Sequence, residues 1–157
     1  MARVNVGVNP VYLSDQHLIA ESVEITMITG GLRKNGYRVM SPIPDKLNLG
    51  TGHINFFKNK IEYLSRRLQE VNKELTRRGI KNSTIVDLEE FVINCNYNLI
   101  DNWRPSIDDS FVLRDRIYDR LINPRRAKLG FHRYEKEPIL DLEEFANIMF
   151  ISPLYHV

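Results

Sequence analysis

The chain has 157 residues, 43% of them hydrophobic and 27% charged, with a formal net charge of +2. That is a globular composition of one-domain size, which leaves out disordered and fibrous classes, so 1–157 is expected to form a single domain. One cysteine, Cys95, excludes an internal disulfide and fits a reducing cytoplasm, and no apolar run suits a signal peptide or a membrane span.

The first 13 residues read as an extended arm. Val4, Val6 and Val8 alternate with polar or small residues, and Pro10 ends the run. Ser14 is placed to cap a helix from Asp15 to about Thr29, which Gly30-Gly31 should stop. Leu18, Ile19, Val23, Ile25, Met27 and Ile28 make most of that helix apolar, so much of it should be buried. Gln16, His17, Ala20, Glu21 and Glu24 share its one polar sector. Such a sector either faces solvent or lines a site, and a half-desolvated carboxylate there is suited to acid–base work.

Residues 32–52 form a loop-rich connection. Phe57, Ile61, Leu64, Leu68, Val71 and Leu75 then recur every three or four residues, which predicts one long amphipathic helix closed by Gly79. Asn82 or Ser83 should cap a short helix through Phe91. Another helix is expected from Ile107 to Ile122, ending at Asn123-Pro124, and a last one from Pro138 to Phe150. The string Asp-Leu-Glu-Glu-Phe occurs at 87–91 and again at 141–145. Two short copies do not make a repeat architecture, and they read as similar helix starts with acidic first turns.

Basic residues fall in two clusters, from Lys58 to Lys81 and from Arg114 to Arg133, whereas no Lys or Arg follows Glu137. Gathered on one side they would hold phosphates, but charge alone reads more simply as two solvated helix faces. The glycines of Leu49-Gly50-Thr51-Gly52-His53 allow a tight backbone turn, without the spacing of a nucleotide-binding loop. The four histidines are scattered, so no metal site is expected.

Together these strings resemble a known family. Arg3 and Asn5, then Asp15-Gln16-His17-Leu18 with Ala20, Glu21 and Glu24, then Leu49-Gly-x-Gly-His53 with Phe56, Phe57 and Lys60, and then a long Leu/Arg-rich helix, occur in that order. The pattern is similar to the pyrimidine-dimer DNA glycosylases of the phage endonuclease V type. It is best over 1–80, loose as far as Arg116 and Arg120, and lost over 125–157.

The resemblance implies a compact all-α enzyme whose extended N-terminal arm reaches the active site. It implies a monomer acting on DNA, double-stranded by expectation, in the cytoplasm (the host's, if a virus encodes it), with no cofactor. The activity implied is base excision plus abasic-site cleavage on damaged pyrimidines. In that scheme the α-amine of Ala2, exposed once Met1 is removed, is the nucleophile, and an α-amine of pKa about 8 needs little activation. Glu24 matches the essential carboxylate. Arg3, Gln16, His17, Arg116 and Arg120 match DNA-holding residues, and Glu21 and His53 are candidates for lining the site. The same scaffold without catalysis would be a DNA-binding module. The family's two arginines flanking its glutamate are Val23 and Met27 here, and its aromatic C-terminal string is replaced by a basic segment over 125–134.

Overall fold

The computed structural model describes residues 3–123, 132–133 and 137–157. Among them are α1 (Asp15–Lys34), α2 (Gly52–Phe57), α3 (Ile61–Arg77), α4 (Leu88–Asn94), α5 (Ile107–Ile122) and α6 (Leu142–Ile151). Short 3-10 turns occupy Pro10–Tyr12 and Tyr97–Leu99. The described β structure is one antiparallel pair, β1 (His132–Arg133) with β2 (Glu137–Pro138). The fold is all-α, as expected. No helix among the described residues is long and apolar enough to cross a membrane.

Local chemistry accounts for most helix ends. The Ser14 hydroxyl accepts the His17 N–H and caps α1. Asp87 caps α4 and Asp141 caps α6, each accepting the N–H three residues on, so the two matching strings are indeed two similar helix starts. Ser106 and Asp109 form a reciprocal capping box that opens α5. Gly79 lies at φ +76 just beyond α3, where only a residue without Cβ is unstrained.

Four expectations need correction. Gly30-Gly31 does not end α1, which continues to Lys34. Buried Leu32 anchors the last turn, and the stop comes at Asn35 and Gly36, the latter at φ +67. The stripe beginning at Phe57 spans two helices, because the chain turns between Phe57 and Ile61, where Lys60 Nζ donates to the Phe56 carbonyl (2.8 Å). The helix at Phe91 starts at Leu88 rather than near Ser83, and the last helix starts at Leu142, not Pro138, since the aspartates before them supply the caps.

The arm differs from a plain extended strand. Val4, Val6 and Val8 are fully buried, but so are Asn5 and Gly7 between them. Val6 N–H donates to the Val4 carbonyl and the chain kinks at Gly7, φ +71. This kink divides the arm between two apolar clusters. Val4 and Val6 pack with Ile25, Ile28, Phe57, Leu64 and Leu113, whereas Val8 packs with Leu18, Val71, Leu75, Ile117 and Met149. Helices α1, α3 and α5 each serve both clusters, and the arm runs along the seam.

Helix α1 departs from the expected burial in part: Leu18, Ile25 and Ile28 are buried as expected, but other positions are not. Its polar sector is inside: Glu21 is fully buried and Glu24 is 3% exposed. Its apolar Ile19, Val23 and Met27 are 44%, 49% and 58% exposed. Apolar periodicity cannot foresee this, because the arm supplies the polar partners that make a buried polar face tolerable.

Candidate active site

The arm is held by side chains that reach it from four helices. Glu21 accepts the Asn5 main-chain N–H (3.1 Å) and the Asn5 amide (2.9 Å). Arg67 of α3 closes on the same carboxylate with Nε (2.6 Å) and Nη2 (3.1 Å), and its Nη1 donates to the Val8 carbonyl (2.7 Å). Arg78 pairs with Asp15 and Glu74 and also donates to the Pro10 carbonyl. Arg114 of α5 donates to the Gly7 carbonyl (3.0 Å). Each of these three guanidiniums is at most 1% exposed. The basic clusters are therefore not wholly solvated helix faces. The sequence hints at this only in that Arg67 and Arg78 flank the apolar stripe of α3.

His53 holds the arm nearer its start. Its Nε2 lies 3.0 Å from the Val4 nitrogen and must accept, because that nitrogen carries a hydrogen. Its Nδ1 therefore carries the ring proton and donates to the Asn48 carbonyl (3.0 Å). Burial, with help from the Arg3 and Arg116 cations, lowers this imidazole to about 4, so it is neutral at physiological pH. The Gly-x-Gly-His loop thus fixes a histidine in one tautomer under the arm. Its Leu49 carbonyl accepts from Arg3 Nε (3.1 Å) and Nη2.

Glu24 stands beside this anchored start. Its Oε1 is 4.0 Å from Arg3 Nη1, and it is a buried oxygen with no hydrogen-bond partner among the described residues. Burial raises its pKa, while Arg3 and Arg116 act against that rise. A buried carboxylate this close to a cation, yet short of a hydrogen bond, is costly to keep and is common at sites of chemistry.

His17 shares a 2.7 Å hydrogen bond with the Ser14 hydroxyl. Burial first, then Arg116 and Arg120, lower it to about 3. Arg116 is thus near enough to act on His17, Glu24 and His53 alike. Arg116 and Arg120 line an open groove of about 560 Å³ together with Asp115, Asp119, Leu49, Val112 and Asn123, so Leu49, whose carbonyl anchors Arg3, also borders the groove. Gln16 is half-buried on the turn that carries His17. Among the described residues no cluster of His, Cys, Asp or Glu could hold a metal ion.

Of the expected site residues, Arg3, His17, Glu24, His53, Arg116 and Arg120 converge. Glu21 is turned away into the Arg67 pair, with both oxygens occupied. Ala2 and most of the basic segment over 125–134 lie outside the described residues. Sequence reasoning missed Arg67, Arg78 and Arg114, and treated Leu49 only as part of a loop.

Residues 1–88 match the family described as pyrimidine dimer DNA glycosylase. The chain belongs to this family. The matched stretch carries the arm, the polar sector of α1, the His53 loop and all of α3, but not Arg114, Arg116 or Arg120. Membership makes the protein a DNA glycosylase by family.

Proposed function

We propose that this glycosylase is bifunctional, excising a damaged or modified pyrimidine from double-stranded DNA and then cleaving the abasic strand, as a monomer. The Ala2 amine, freed by removal of Met1, attacks the deoxyribose C1′. The C1′–N bond breaks and the base leaves with its electron pair, taking up a proton. Ring opening gives an imine between Ala2 and the sugar. Loss of a C2′ proton then expels the 3′ phosphate by β-elimination. Glu24 stabilises the positive charge that develops on the sugar and relays protons. Arg3, Gln16, His17, Arg116 and Arg120 hold the DNA backbone and the extruded nucleotide.

The observation that carries this reading is the Glu24 carboxylate, buried and short of a hydrogen bond, beside an arm anchored from residue 3 onward. A protein that only bound phosphates would gain nothing from a buried anion there. The decisive experiment is borohydride trapping on abasic, ultraviolet-irradiated and base-modified duplexes, preceded by N-terminal mass analysis. A covalent complex that disappears in Glu24→Gln, or when Met1 is retained, supports the reading. DNA binding without trapping favours a second reading, a DNA-binding module, for which the exposed Val23 and Met27 speak because they offer phosphates no cation.

A further inference from the structure

The matched residues end at 88, yet the arm's kink is gripped by a segment near the other end of the chain. Arg114 is 1% exposed, and its described partners are hydroxyl and carbonyl oxygens with no carboxylate among them. Its Nη1 donates to the Phe150 carbonyl (2.9 Å) and to Ser152, gathering the C-terminal end of α6. Its Nη2 bridges the Pro153 carbonyl (3.2 Å) and the Gly7 carbonyl (3.0 Å). A second grip is independent of the guanidinium: Tyr155 N–H donates to the same Gly7 carbonyl (3.0 Å). The Tyr155 hydroxyl, donating to Glu70 of α3 (2.7 Å), pins the tail in turn.

The fit at Gly7 leaves no slack. A Cβ there would stand 2.6 Å from the Ser110 side chain and 2.8 Å from Leu154 Cδ1. Its φ of +71 is also strained for any other residue. The consequence is a fixed register for the four residues from Arg3 to Val6, which precede the kink and include Arg3 beside Glu24.

We infer that the tail from Ser152 to Val157, acting through Arg114 and Gly7, is a clamp that positions the amino terminus against Glu24. Arg114, Gly7 and Tyr155 are positioning residues for the reaction and touch no substrate. The clamp rests on the amine-nucleophile reading for its catalytic consequence, but not for its effect on the arm.

The test uses the full chain with Met1 removed, in two variants: Arg114→Lys, which keeps the charge but loses the fork, and Leu154→Ala with Tyr155→Phe, which loosens the tail and spares Arg114 in case the first fails to fold. Three quantities are read: single-turnover trapping on abasic duplex across pH, the Kd for that duplex, and amide exchange at Val4, Val6 and Val8. The expected result is trapping slowed at least about tenfold with Kd held within about threefold, a displaced pH midpoint, and faster exchange in the arm. Trapping that is unchanged, or that falls only in step with DNA binding, overturns the clamp. If the unaltered protein traps nothing, the excision reading fails by itself. Exchange then decides alone: acceleration upholds the clamp on the arm, and none refutes it.

Discussion

Glu21 and Arg67 form a bidentate ion pair, 2.6 and 3.1 Å, between α1 and α3, with both side chains at most 1% exposed. The pair does more than join two helices, because Asn5 donates twice to the carboxylate and the guanidinium reaches the Val8 carbonyl. Breaking one partner of such a pair leaves the other charged and buried, which costs about 3–5 kcal/mol. Arg67→Ala and Glu21→Ala should each lower unfolding free energy by that amount in urea titrations. The double variant should lose much less than the sum, since it strands no charge. Additive losses would mean that the two side chains do not act as a pair.

The two buried histidines give stability an acid limb above the carboxylate range. His53 is lowered from 6.5 to about 4 and His17 to about 3. In both, the unfolded chain takes up a proton that the folded chain refuses. Their contribution is thus complete above pH 6.5 and erodes as pH falls toward the folded values. For His53 alone this amounts to about 3 kcal/mol. In His53→Gln the amide can still accept from Val4 N–H and donate to Asn48, but it cannot titrate. Between pH 7 and 4 the unaltered protein should therefore lose about 3 kcal/mol more than His53→Gln by chemical denaturation. Parallel curves would show that His53 does not report on this limb.

Glu24 should behave in the opposite way. Its raised pKa means that the folded protein disfavours its charged form. The neutral isostere in Glu24→Gln is expected to leave Tm unchanged or higher at pH 7 while abolishing borohydride trapping. This trade of activity against stability marks a functional carboxylate. A clear drop in Tm, measured by calorimetry, would instead make Glu24 a structural anion.

How much of this was legible beforehand depended on whether the cause was local. Ser14, Gly79 and the bounds of α5 follow from capping and periodicity, which act within one turn. The convergence of Arg3, His17, Glu24 and His53 followed from motif order, not from any pattern of charge. Periodicity foresaw the burial of Leu18, Ile25 and Ile28 on α1 but could not choose the inside for Glu21, which is buried by donors on Asn5 and Arg67, the latter 46 residues away. The glycine stop signal failed at Gly30-Gly31 for a related reason: the burial of Leu32 by distant side chains outweighs a helix cost of about 1 kcal/mol for each glycine. Arg114 was invisible in the same way, since its partners include Gly7, 107 positions off.

The exposed apolar stripe on α1 sets the character of DNA binding. Val23 and Met27 are one turn apart, 49% and 58% exposed, on either side of Glu24 in sequence. Neither can replace a counterion on a phosphate, so the binding of duplex should depend on salt only as far as Arg3, Arg116, Arg120 and their neighbours require. Each added phosphate contact steepens the slope of log K against log salt by about 0.9. Val23→Arg with Met27→Arg should therefore steepen that slope by about 2 and tighten binding at low salt, for damaged and undamaged duplex alike. Discrimination between the two duplexes should then fall or stay level, because phosphate contacts carry no information about the lesion. Fluorescence anisotropy from 50 to 200 mM salt measures both quantities. An unchanged slope would place this face of α1 away from the DNA and confine the interface to the arm and α5.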